Sequence, residues 1–112
     1  MDKSELRDVT LRQLHDMKIF LTSPEWNAKV QASTAAERQK ASLVLLKLQQ
    51  VSLAMENAEL EDLAEKLKAN EKALRAGQAA VRSACEKVST VQPVLKAVSA
   101  LLKTAAKIIA LL

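Results

Sequence analysis

Residues 35–77 read AAERQKASLVLLKLQQVSLAMENAELEDLAEKLKANEKALRAG, with one glycine, Gly77, and no proline. A leucine recurs at every seventh position of this stretch, and the spacing continues with aliphatic residues almost to the end of the chain. The repeat consists of Leu46, Leu53, Leu60, Leu67, Leu74, Val81, Val88, Leu95, Leu102 and Ile109. Such a repeat among Ala, Leu, Glu and Lys is typical of long helices that pack along a seam. The sequence therefore predicts an all-α fold.

A second apolar stripe accompanies the repeat in the first half of this stretch. It consists of Val44, Leu48, Val51, Met55 and Ala58. Thr34 followed by Glu37 forms a capping box, which predicts that a helix starts here. We expect one long helix over 34–76, buried on two sides in its first half and on one side in its second half.

Gly77 is the predicted turn of the molecule, because glycine adopts a positive φ without steric cost and often ends helices. A C-terminal helix over 78–112 then folds back on the long helix as an antiparallel, coiled-coil-like hairpin. This places Leu53 beside 100–102. One uninterrupted rod is the alternative, since an interior glycine costs only about 1 kcal/mol relative to alanine. Polar residues at the companion seam positions, such as Gln50 and Asn57, argue against the rod.

The N-terminal region, 1–33, predicts one amphipathic helix and one short connecting helix. Asp2 and Glu5 form a capping box, and Ser23-Pro24 is a typical helix start. The apolar positions of the first helix are Leu6, Val9, Leu14, Met17, Phe20 and Leu21. We expect this helix to complete a three-helix bundle core with the hairpin. Residues 1–112 then form a single helical domain with the parts 1–33, 34–76 and 78–112.

The charge of the chain is uneven. The net charge is +4, and all of the excess lies after residue 86, in Lys87, Lys96, Lys103 and Lys107. With one Trp, one Phe and no Tyr, the chain offers few rings on which unpaired bases could stack. A nucleic-acid partner is therefore not expected.

No grouping typical of catalysis or metal binding is present in the sequence. His15 is the only histidine and Cys85 the only cysteine, and one glycine cannot form a phosphate-binding loop. We predict that the protein is not an enzyme and uses no cofactor, metal ion or small-molecule substrate. Cys85 lies next to the seam residue Ala84, which favours a structural thiol.

The first twenty residues carry charges throughout and lack the apolar core of a signal peptide. The sequence therefore predicts a cytoplasmic location without a signal peptide. Specialised secretion and peripheral membrane association are the alternatives that this pattern leaves open.

The predicted function is a non-enzymatic interaction or assembly module. Long helices with a shared seam favour binding to a second copy, as a dimer or higher oligomer, or to another helical protein. Trp26 is a candidate partner contact, because tryptophan is enriched at binding hot spots. The same side chain also suits a wedge that closes the base of the bundle.

An alternative function comes from the cationic amphipathic segment 94–112. Lys96, Lys103 and Lys107 share one side of this predicted helix, opposite its Val, Leu and Ile residues. Lys103 near its centre costs about 3 kcal/mol on the membrane-insertion scale, against about −4 kcal/mol from the apolar residues. With the other two lysines added, the segment fits an anionic membrane surface better than a membrane-spanning helix.

Overall fold

The computed structural model describes residues 1–112 and consists of six α-helices without strands. The prediction of an all-α fold is confirmed. The helices are α1 (Lys3–Leu21), α2 (Pro24–Gln31), α3 (Ala35–Glu56), α4 (Leu60–Ala69), α5 (Glu71–Glu86) and α6 (Val91–Ala110). Every helix contributes to one cluster of 22 buried apolar side chains.

The first three helices begin at the predicted caps. The side chain of Asp2 accepts a hydrogen bond from the Glu5 N–H at 2.8 Å. Ser23 and Thr34 accept in the same way from the N–H groups three residues later, at 3.3 and 3.1 Å. These bonds satisfy N–H groups that have no partner inside a helix. Capping chemistry therefore determined these boundaries as the sequence indicated.

The predicted long helix over 34–76 is wrong, because it is divided into α3, α4 and the first part of α5. Helix α3 ends at Glu56, and the Glu59 carboxylate caps α4 by accepting from the N–H groups of Glu61 and Asp62 at 3.1 and 2.8 Å. A second break falls at Asn70, whose amide donates to the carbonyl oxygen of Lys66 at 2.8 Å. Side chains that bond to nearby backbone compete with the helix in this way.

The predicted turn at Gly77 is also wrong, since this residue lies inside α5 and its φ is not positive. A Cβ atom at Gly77 would stand 3.0 Å from Cδ1 of Leu101 in α6. Glycine is used here for close approach between two helices. The C-terminal helix predicted over 78–112 is interrupted at 87–90, and the chain reverses there. Pro93 follows in the first turn of α6, where its missing N–H costs nothing.

Helices α1, α3, α5 and α6 are the four longest, but the shorter α2 and α4 also place side chains in the core, so six helices pack together where three were predicted. Helix α6 packs against α5 on one side and α3 on the other. In the groove between α3 and α6, residues 34–40 lie beside Gln92 and Leu95, and residues 40–47 lie beside 99–106. These two helices therefore run in the same direction. Leu53 lies beside α1 instead of 100–102. The longest dimension is 42 Å, far shorter than an uninterrupted helical rod.

The seven-residue repeat is divided between the core and the surface. Its later members Leu67, Leu74, Val81, Leu95 and Leu102 are buried. Leu46, Leu53 and Leu60 are instead 51%, 59% and 55% exposed. The prediction that the first half of the long helix is buried on two sides is therefore wrong. Only the stripe through Val44 and Leu48 faces the core, because α1 and α6 flank α3 and leave its outer side uncovered.

Two leucines of the same repeat provide a matched test of this division. We expect Leu102→Ala to lower the free energy of unfolding by about 2–5 kcal/mol, because a fully buried side chain is lost and a cavity remains. Leu53→Ala should change it by less than about 1 kcal/mol, since Leu53 is largely in water. Denaturant unfolding of both variants at concentrations that keep the protein monomeric measures the difference. Similar losses in the two variants would contradict the arrangement of α3 described above.

Candidate functional site

The main unpartnered surface is a line of leucines along the outer side of α3 and the start of α4. This leucine row consists of Leu43, Leu46, Leu53 and Leu60, each exposed by more than half. Within α3, Gln50 lies between Leu46 and Leu53, so the row alternates spacings of three and four residues there. Asn57 is the C-cap of α3, and Leu60 begins α4 after the break at 57–59. The residues 48–55 carry no charge. The row therefore has the pattern of a helix-packing seam without a partner helix.

Grooves flank the leucine row on both sides. On the α1 side, a cavity of about 280 Å³ is bordered by Leu11, His15 and Lys18 of α1 and by Leu53 of α3. On the α6 side, a cavity of about 360 Å³ lies between α3 and α6. Apolar residues scattered singly over a surface are ordinary, but a contiguous group marks an interaction site more often. The row and its grooves form the candidate contact surface.

Trp26 does not belong to this surface. Its side chain is only 3% exposed, and its ring centroid lies 5.5 Å from that of Phe20 at an interplanar angle of 44°. The tilted pair packs α2 against the end of α1. Trp26 is therefore buried in this fold, and its ring lacks the exposure that a partner contact would need.

The three predicted lysines of α6 are exposed and form no ion pair. Lys96, Lys103 and Lys107 lie on the outer side of the helix. Its apolar side is buried through Val91, Val94, Leu95, Val98, Leu101, Leu102, Ala105 and Ile108. Membrane binding through that apolar side would require α6 to leave the core. None of the six helices combines the length and the apolar character that crossing a bilayer demands.

Two further adjoining grooves lie between α1, α2 and the end of α5, with volumes of about 440 and 510 Å³. Cys85, Asp16 and Phe20 line both of them, and Arg12 and Arg82 line the first. Burial raises the pKa of the Cys85 thiol above its usual value. A thiol with a raised pKa is a weaker nucleophile near neutral pH, because less of it is ionised. No three His, Cys, Asp or Glu side chains are placed to share a metal ion.

A buried polar pair joins α1 to α5, and the sequence interpretation missed it. The amide nitrogen of Gln78 donates to Thr10 Oγ1 at 3.1 Å, and the Thr10 hydroxyl donates to the carbonyl oxygen of Leu6 at 2.7 Å. Gln13 Nε2 adds a bond to the backbone carbonyl of Gln78 at 3.1 Å. The sequence does contain a sign that Thr10 is buried. Thr10 lies four residues from both Leu6 and Leu14, which places it on the apolar face of α1.

The acidic stretch of α4 is bound by the start of α1. Lys3 pairs with Glu61 and lies 3.6 Å from a carboxylate oxygen of Glu65. The hydrogen bond from Lys3 lowers the pKa of Glu61. Arg7 donates to the carbonyl oxygen of Leu60 at 3.3 Å. These contacts are at the surface, so they orient α4 more than they stabilise the fold.

The raised pKa of Cys85 predicts slow alkylation. We expect Cys85 to react with iodoacetamide more slowly than a cysteine at the exposed neighbouring position in the Ser83→Cys, Cys85→Ser variant. The reaction rate should also reach half of its maximum at a higher pH in the natural protein, because the thiolate forms at higher pH. Mass spectrometry over a pH series measures both. Equal rates and equal midpoints would contradict the half-buried placement of this thiol.

Comparison with known proteins adds no relative from which a function could be transferred. No protein-family model matches the chain, and neither a curated protein nor a solved structure matches it at a significant level. Its exposed leucine row and its unpaired lysines are therefore the features from which a function can be inferred.

Proposed function

We propose that this protein is a non-enzymatic helical interaction module that assembles through the leucine row, with a second copy of the chain as its first partner. The observation that carries the proposal is the exposure of Leu43, Leu46 and Leu53 on α3, between 51% and 59%, with Leu60 at the start of α4 exposed by 55%. Another helical protein with a matching seam is the alternative partner.

Burial of the leucine row alone does not supply enough free energy for stable association. Burying the exposed half of a leucine side chain contributes about 1 kcal/mol, so the four leucines supply about 4 kcal/mol. Association costs at least that much in lost translational and rotational freedom. A stable interface buries about 800 Å² on each partner. The contact must therefore extend into the flanking grooves, where Leu11 of α1 and Ala106 of α6 are half-buried.

The polar members of the seam suit a contact with a defined alignment. In coiled coils a polar residue at a seam position weakens the contact but selects one register, because a shifted register leaves it against an apolar neighbour. Gln50 and Asn57 occupy such positions between the leucines. Coiled-coil-like packing along α3 is therefore the geometry that we propose for the assembly.

The mass of the protein in solution tests the proposal. We expect a dimer or higher oligomer at micromolar concentration and a monomer for the Leu46→Gln, Leu53→Gln variant, because both replaced side chains lie in the row. Sedimentation velocity across a concentration series measures the masses. Thermal unfolding of a dilute sample should be nearly unchanged in this variant, since the replaced side chains are exposed.

Ile19→Gln is the matched control. Ile19 is a large apolar residue with 56% exposure, but it lies on α1 outside the row. Its replacement should leave the oligomeric mass unchanged. A natural protein that stays monomeric up to about 100 µM would reject self-association, since a second copy would then bind with a free energy weaker than about −5.5 kcal/mol. An oligomer that persists in the double variant would show that the row is not its interface.

A further inference from the structure

Five unpaired lysines lie on the two neighbouring helices α3 and α6. This lysine wall consists of Lys40 and Lys47 of α3 and Lys96, Lys103 and Lys107 of α6, and all five are exposed. None of them takes part in an ion pair. The sequence has no acidic residue after Glu86, and the acids of α3 are Glu37 and Glu56, close to its two ends. Glu37 lines the α3–α6 groove beside Lys40, so the wall carries five lysines against one neighbouring carboxylate and is positive overall.

The groove between α3 and α6 brings these charges together with apolar side chains. Lys40, Lys47 and Lys103 border the groove, and Leu43 lies among them with 59% exposure. Lys96, Lys103 and Lys107 follow at spacings of seven and four residues, which places them on one side of α6. Since the two helices run in the same direction, the lysines form a patch two helices wide.

We propose that the lysine wall docks the folded protein on a bilayer surface that contains anionic phospholipid. The lysines contact the headgroup phosphates, and this contact does not require Leu43, which belongs to the leucine row. Helix α6 keeps its apolar side in the core throughout. This mode therefore differs from membrane binding through the apolar side of segment 94–112, which would require α6 to leave the core. The proposal is independent of self-association.

The chemistry of the wall favours many dispersed phosphates over one precisely held anion. All five of its cations are lysines, which act as compact point charges on flexible stems, whereas arginine provides the planar geometry for gripping a single phosphate or carboxylate. Each lysine near an anionic surface contributes additively to binding. The wall contains no aromatic ring on which a nucleic-acid base could stack.

A second copy of the chain does not suit the wall, because it would bring the same positive charges. A second copy suits the leucine row better. Between Leu46 and Leu60 the only lysine is Lys47, which lies at the edge of the wall. The lysines of α6 lie outside the row. An assembled protein can therefore still present them to a membrane.

Vesicle co-sedimentation tests the proposal. The natural protein should bind vesicles of mixed phosphatidylcholine and phosphatidylserine but not vesicles of phosphatidylcholine alone. The Lys96→Gln, Lys103→Gln, Lys107→Gln variant should bind the mixed vesicles on the order of a hundredfold more weakly, since each lysine near the surface is worth about fivefold. The matched control is Lys18→Gln, Lys29→Gln, Lys72→Gln, which removes three exposed, unpaired lysines from other helices. This control should retain most of the natural affinity.

Three outcomes would overturn the proposal. Equal losses in the two triple variants would mean that net charge, and not the wall, drives binding. Absence of binding to the mixed vesicles would reject membrane docking, and binding to a polyglutamate peptide would then assign the wall to an acidic protein. Trp26 reports on the third outcome, because its ring is buried when the bundle is closed. A large change in its fluorescence on vesicle binding would show that the bundle opens instead of docking intact. Oligomeric mass tests the leucine row, whereas vesicle binding tests the lysine wall, so the two proposals can fail separately.

Discussion

The close contact between α5 and α6 at Gly77 is the constraint on which the arrangement of the molecule depends. Leu101 of α6 lies directly over the position that a Cβ atom would occupy. Because α6 is held this closely, its apolar side is buried and its lysines face outward. Helix α3 then has α6 on one flank and α1 on the other, so its outer side remains uncovered. The leucine row and the lysine wall both follow from this packing.

Local chemistry made part of the fold predictable from the sequence. The caps at Asp2, Ser23 and Thr34 involve side chains and backbone groups three residues apart, so a short stretch of sequence contains all the information. The structural role of Gly77 was not predictable from neighbouring residues. Glycine permits either a positive φ or close approach, and only the position of Leu101, distant in sequence, decides between them. The break after Glu56 has a local cap, but glutamate is not among the usual N-cap residues, so Glu59 was not recognisable as a helix start.

The candidate surface was only partly visible in the sequence. The repeat through Leu46, Leu53 and Leu60 indicated helix packing, but periodicity does not say whether the packing partner lies within the chain. The polar companions Gln50 and Asn57 were the better signal, because a fully buried seam would be apolar at both positions. The exposed lysines of α6 were predicted from their spacing. Lys40 and Lys47 join them only because α3 lies beside α6, which no local pattern reveals.

The parallel course of α3 and α6 also has a consequence for the order of folding. Lys47 and Lys103 border one groove but lie 56 positions apart in the chain, whereas α5 and α6 are joined by the four residues 87–90. Closing a long loop costs more entropy than closing a short one, so contacts between distant residues form late. The α5–α6 pair should therefore form before α3 docks. A chain that stops at this intermediate carries every lysine of the wall without the surface that they form together.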